Sequence, residues 1–121
     1  MSITARVKAK RAADPNRSHS KKELAYRRRL RVEVMEALGG RCACCGETEM
    51  HFLQLDHIHG GGSQHLKRVG DWASVYRSVK EQGFPRDQFR VLCCNCNFAI
   101  GHHRFCPHEV ARMVDAVLVA V

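Results

Sequence analysis

Two pairs of cysteines set the strongest limit on how this chain can fold. Cys42-x-x-Cys45-Gly46 and Cys93-x-x-Cys96 repeat one spacing, with 47 residues between Cys45 and Cys93. A CxxC turn lets two thiolates converge on one tetrahedral ion, and two such turns complete a four-cysteine zinc site. A closed four-thiolate site leaves no open position for substrate, so the Zn2+ expected here is structural. A redox CxxC would need no second copy and would sit in thioredoxin-like surroundings, which this chain lacks. Seven cysteines, an odd number with no secretion signal, also argue against a disulfide framework. Cys44 offers a C-x-C alternative to Cys42, and Cys94 crowds the second knuckle. The shared CxxC spacing, with Gly46 suited to the turn, favours Cys42, Cys45, Cys93 and Cys96. Cys106-Pro-His108 is left over, either as a spare metal site or, the favoured reading, as a packed thiol ahead of a helix.

At 121 residues the chain is one domain, with a core modest enough to welcome a metal staple. The formal charge is +8, and its distribution says more than its sum. Residues 1–31 hold 11 of the 20 Lys and Arg against two acids, whereas residues 32–121 hold 9 basic and 10 acidic residues. The body is nearly neutral and the N-terminal arm carries the charge. Such an arm favours a polyanion, because binding releases counterions condensed on phosphates. No apolar run is long enough to cross a bilayer and no signal peptide opens the chain, so a cytoplasmic protein with no membrane partner is expected.

Residues 1–19 read as a basic, disordered arm and residues 20–121 as the folded domain. A helix is expected from Ser20, with Glu23 completing the cap signature and Gly39-Gly40 stopping it. Arg27, Arg28, Arg29 and Arg31 wrap this helix and are candidates for nucleic-acid contact. Phe52 to His57 alternates as a strand, with Leu53, Leu55 and His57 on one face and Phe52, Gln54 and Asp56 on the other. The glycines after His59 read as a loop. Asp71 should cap a helix running to about Gln82, whose Trp72, Val75, Tyr76 and Val79 form a core stripe. Phe89 to Leu92 reads as a second strand, and Cys96 to about Gly101 as a helical turn. Pro107 opens a helix with one apolar face, expected to pack on the domain, with a dimer seam as the other option.

The stretch LQLDHIHGGG, residues 53–62, ends a strand in an acid and histidines rather than in ordinary turn residues. Clamping by the two knuckles should bring Asp56 and His57 close to Asn97, the residue after the last cysteine ligand. A carboxylate and an amide oxygen suit a hard ion such as Mg2+ or Mn2+, with water and a substrate phosphate completing its shell. His57, pointing away from Asp56, could deprotonate a water, since an imidazole accepts a proton at neutral pH without tuning. The glycines would let the chain pass close to a nucleic-acid backbone. His59 and His65 could reach the same cleft, although a surface or loop role is favoured for each. His102 and His103 carry a weaker claim to phosphate, and His19, His51 and His108 carry none of their own.

The order CxxCG, LxxDH followed by glycines, then LCxxCN resembles the HNH endonucleases, the ββα-metal nucleases with a zinc-binding cysteine frame. DHIHGGG and LCCNCNFAIG look like phage-type HNH proteins, and the CNxxIG ending is similar to the recombination endonuclease VII group. The resemblance covers about residues 27–108. It implies an α+β fold: a small treble-clef-like ββα-metal domain on a four-cysteine zinc frame, flanked by N- and C-terminal helices. It further implies Asp56 as metal ligand, His57 as general base and Asn97 as second metal ligand where the family has histidine. Gln88 stands where the family has an asparagine that braces the loop and orients the base.

The activity implied is hydrolysis of DNA phosphodiesters, on duplex or branched substrates. Phosphate contacts carry no base information, so a protein partner would have to supply specificity. The competing reading is a zinc-knuckle module that binds nucleic acid without chemistry. Such a module has no reason to hold an acid, a histidine and a post-cysteine asparagine at nuclease spacing. Monomer and homodimer both remain open.

Overall fold

A computed structural model describes residues 20–120. The expected disordered arm over residues 1–19, with its basic residues and His19, lies outside the described residues, as does Val121. Helix α1 spans Lys21–Ala37, and the Ser20 hydroxyl accepts from the Glu23 amide at 3.2 Å, as its cap signature predicts. Its Leu30, Val34 and Met35 are buried. Gly39 and Gly40 then turn the chain at φ 117° and 69°, a conformation side chains resist.

A short 3-10 turn, Met50–Phe52, delivers the chain into strand β1, Leu53–His57. Phe52 therefore belongs to the turn rather than to the strand and is exposed. Strand β2, Phe89–Cys93, pairs antiparallel with β1, setting Leu53 opposite Cys93, Leu55 opposite Val91 and His57 opposite Phe89. Opposite residues share a face, so those six point one way while Gln54, Asp56, Arg90 and Leu92 point the other. The expected alternation of β1 holds.

Between the strands lie two helices. Helix α2, Gly62–Val69, was not expected: the sequence there reads as a glycine loop. Gly60 and Gly61 take φ 77° and 86° and reverse the chain, so that a helix of only two turns folds back over His57. Its apolar content is too small to announce itself, yet it buries His65 and rests Leu66 and Val69 against the core. Helix α3, Trp72–Glu81, starts at the expected Asp71 cap, whose carboxylate accepts from Ser74 N at 2.8 Å and from Arg27 at 3.0 Å. Burial works against the charged form, but these donors outweigh it and hold the Asp71 carboxyl at about 2. Val75 and Val79 are fully buried, whereas Trp72, assigned to the same stripe, is 47% exposed.

Helix α4, Cys94–His103, begins directly at the end of β2, two residues before the expected start, and Cys93 caps it through its sulfur. It packs on the Gln54 face of the sheet, while α1 and α3 pack on each other beyond the opposite face. The core runs from Val34 and Met35 through Leu53, Leu55, Val75, Val79 and Val91 to the cysteines. Helix α5, Pro107–Ala120, departs from expectation: it buries none of its residues, and Val110, Met113, Val114, Val117 and Leu118 stay exposed. The hydrophobic core ends at Cys106, and the first turns of α5 reach back to it through polar contacts of His108 and Arg112. No described helix is long and apolar enough to cross a membrane.

Stability should follow this division. Met35→Ala empties a fully buried position and is expected to cost about 2–5 kcal/mol in urea denaturation. Met113→Ala on the exposed face of α5 should change it by no more than about 0.5 kcal/mol.

Candidate functional site

The two CxxC turns meet. The sulfurs of Cys42, Cys45, Cys93 and Cys96 all lie within 4.8 Å of one another, an arrangement able to hold a metal such as zinc. Cys45 and Cys93 Sγ, one from each turn, are 3.7 Å apart. Each turn also directs a backbone amide at its own sulfur: Cys45 N to Cys42 Sγ and Cys96 N to Cys93 Sγ, both at 3.5 Å. Burial opposes ionisation of Cys42, but the amides of Cys45, Cys93 and Cys44 prevail and hold its thiol at about 6. Cys96 is driven the other way, first by burial and then by the sulfurs of Cys93 and Cys42. A bound dication would relieve that competition, because it lets all four sulfurs carry charge. Cys94 is exposed and stands outside the cluster. Cys106 is buried and lies near Cys44, Cys96 and His108, which fits a packed thiol and a metal ligand equally.

A groove runs along the edge of β1 that β2 leaves unpaired. Two adjoining cavities of about 320 and 310 Å³ form it, sharing Leu55, Trp72 and Asn97 in their walls. Asp56 and His57 leave opposite faces of the strand, yet both line the second cavity, together with Gly62 and Ser63. The edge position explains this: a groove over a strand's flank receives side chains from both of its faces. The clamp thus brings Asp56, His57 and Asn97 to one cavity, as their spacing suggests.

His57 is held on three sides. Its Nε2 lies 2.9 Å from His65 Nδ1, and its ring meets the Phe89 ring edge-on at 5.0 Å. The third wall is Gly62, where an added Cβ would stand 3.1 Å from His57 Nδ1. Burial lowers the His57 pKa, with the nearby His65 adding to the effect and Asp56 opposing it. Both rings therefore favour the neutral form, since burial lowers His65 as well, assisted by Arg68. His65 Nε2 is buried with no hydrogen-bond partner among the described residues.

On the other face, Asp56 Oδ2 accepts from Arg90 Nε at 2.7 Å, its cross-strand partner. Asn97 Nδ2 donates to Gln54 Oε1 at 2.6 Å, which fixes the amide. Gln88 has an exposed side chain. Its carbonyl accepts from Ile58 N at 2.9 Å, and the bond to His57 comes from His65. His59 lies past the end of β1, and its Nε2 meets the Asp87 carbonyl at 3.0 Å, joining two loops. Of the four arginines, Arg27 pairs with Glu23 and Asp71, and Arg31 donates to the carbonyls of Met50 and Leu53. Arg28 and Arg29 remain exposed.

Trp72, Ser63 and Arg90 were not singled out for the site from the sequence, and Gly62 was expected to face a nucleic-acid backbone rather than the His57 ring. Trp72 was hidden in a helical apolar stripe, and Arg90 in a strand without motif. His102 stacks on Phe98 at 4.2 Å.

The model of one protein family, described as recombination endonuclease VII, matches residues 16–118. No curated protein and no solved structure matches the chain.

The buried imidazole of His65 makes stability depend on pH. Its folded pKa lies below the ordinary 6.5, so the unfolded chain binds protons more readily. Its contribution is complete above that ordinary value and is lost as pH falls through the lowered one. His65→Phe is expected to make the acid loss of thermal stability shallower, as read by melting across the imidazole range. An unchanged slope would refute that source.

Proposed function

The chain belongs to the recombination endonuclease VII family, nucleases acting on DNA, and we propose that it hydrolyses phosphodiesters in the groove along β1 as an HNH-type, ββα-metal enzyme. His57 is the general base. Asp56 and Asn97 are the oxygen ligands of a catalytic Mg2+ or Mn2+, and the four knuckle cysteines hold a structural zinc. The observation that carries this reading is the setting of His57: one ring nitrogen tied to His65 and the other beside Gly62, in a cavity that Asp56 and Asn97 also line.

The reactive tautomer follows from that bond. When His57 Nε2–H donates to His65 Nδ1, the His57 Nδ1 lone pair is left to take a proton from water. A lowered pKa keeps this nitrogen unprotonated at neutral pH. The donors suit a hard cation. Asp56 Oδ1 has no hydrogen-bond partner among the described residues, and the Gln54 contact uses the Asn97 amino group, leaving its carbonyl oxygen. When bound, such an ion supplies Lewis-acid stabilisation of the charge developing on phosphate. Arg90, 2.7 Å from Asp56, adds a fixed positive charge beside the same cavity.

The order of β1, β2 and then α4, which follows β2 without a break, supports the ββα reading. The length of the groove, from His51 past Leu55 to Gly62, suits a polymer backbone rather than a small molecule. Exposed Arg28 and Arg29, with the basic residues before Ser20, provide phosphate contacts that read no bases. Duplex and branched DNA are both accommodated in this scheme, with a protein partner as the source of any sequence preference.

Supercoiled-plasmid nicking with Mg2+ or Mn2+ tests the mechanism. His57→Ala, verified as folded, is expected to lose about 10²- to 10⁴-fold in rate. Undiminished nicking removes His57 from the mechanism, and plasmid binding without nicking by the native chain under either metal favours the non-catalytic binding module. Gly62→Ala tests the positioning of the base: the helix tolerates alanine, but the His57 ring must shift. The expected result is a rate lower by up to about 10²-fold with melting temperature nearly unchanged.

A further inference from the structure

Beside the four-thiol cluster lies a second group of metal-ligating atoms, three of whose four residues, Cys44, Cys106 and His108, take no part in the first cluster or in the proposed nuclease chemistry. Cys44 Sγ, Cys96 Sγ, Cys106 Sγ and a ring nitrogen of His108 all lie within 4.8 Å of one another. His108 Nδ1 is 3.3 Å from Cys96 Sγ and 3.3 Å from Cys106 Sγ. Cys96 belongs to both groups.

We infer that the chain carries a second zinc ion, bound by Cys44, Cys106 and His108 and sharing Cys96 as a bridging thiolate with the first. This rests on the reading that the Cys42, Cys45, Cys93 and Cys96 cluster holds zinc. The ligand count closes. Two tetrahedral ions need eight positions, and seven side chains fill them when one sulfur is counted twice. Charge closes as well. The thiolates of Cys44 and Cys106 balance the added dication, so the two-ion cluster carries no more net charge than the one-ion site.

The surroundings fit this assignment. Cys96 and Cys106 are 0% and 1% exposed, so their sulfurs are already removed from water. Arg112 donates to the Cys44 carbonyl at 2.6 Å and approaches its sulfur at 3.6 Å, placing a positive charge beside the thiolate-rich cluster. Soft sulfur and imidazole donors select zinc over the hard cation of the β1 groove. The second ion also has mechanical work to do. Helix α5 buries none of its own residues, and ligation through Cys106 and His108 would moor its first turn to the knuckle that begins at Cys42.

Zinc content per chain, measured by native mass spectrometry and elemental analysis on protein purified with zinc, decides the matter. The native chain is expected to hold two ions, and the Cys106→Ser, His108→Ala double variant one. That variant should also lose amide-exchange protection over the first turns of α5 while the β1–β2 hairpin keeps its own. His108→Ala alone, at an exposed position, guards against misfolding of the double variant: cobalt bound in its second site should lose the nitrogen-ligand signature in the visible spectrum. One zinc in the native chain overturns the second site and leaves the first standing. No zinc overturns both. Two ions retained by the double variant overturn this ligand set.

Discussion

The convergence of four sulfurs from two CxxC turns is the contact on which the rest of this structure depends. The sheet has only two strands, and two strands with short helices bury little apolar surface by themselves. Tying residues 42–45 to residues 93–96 closes the chain around β1 and β2. It also sets the start of α4, because Cys93 ends the strand and caps the helix. With that junction held, Leu92 and Cys96 are completely buried and Val91 nearly so, and the hydrophobic core reaches the cysteines without a gap.

The groove is a consequence of having so small a sheet. β1 has a partner along one flank only, and the open flank exposes side chains from both of its faces. This solves a geometric difficulty raised by Asp56 and His57, which are adjacent and must point in opposite directions. In a wider sheet they would serve opposite sides of the molecule. Here α4 brings Asn97 up to the Asp56 face, while α2 and Trp72 close the His57 side. In the proposed mechanism, this is what lets Asp56 and Asn97 on one side and His57 on the other address one phosphate.

The His57 and His65 pair shows how burial and positioning work together. Phe89, Gly62 and His65 confine the His57 ring, and the same confinement removes water and lowers its pKa. An imidazole so oriented and kept neutral suits the proposed role of base at physiological pH without further adjustment. His65 itself is left with an unpartnered buried nitrogen, a cost of about 1–3 kcal/mol. A group that is expensive to keep buried and touches the proposed base is better explained by positioning than by packing, since Phe or Leu would pack without that cost.

The sequence alone determined the frame and nominated the candidate groups of the site. Repeated CxxC spacing, strand alternation in LQLDH and the caps at Ser20 and Asp71 are local signals, each arising from the geometry of a few adjacent residues. They were legible for that reason. Only the tertiary structure decided how the groups are held. That α2 exists, that His65 lies against His57, that Trp72 faces a groove and that Arg27 and Arg31 serve the fold all depend on residues distant along the chain. The same is true of α5, whose apolar stripe predicts burial but cannot name a partner. Periodicity says which side of a helix avoids water, whereas which surface meets it is decided by where the sulfur-tied core ends, and here it ends at Cys106.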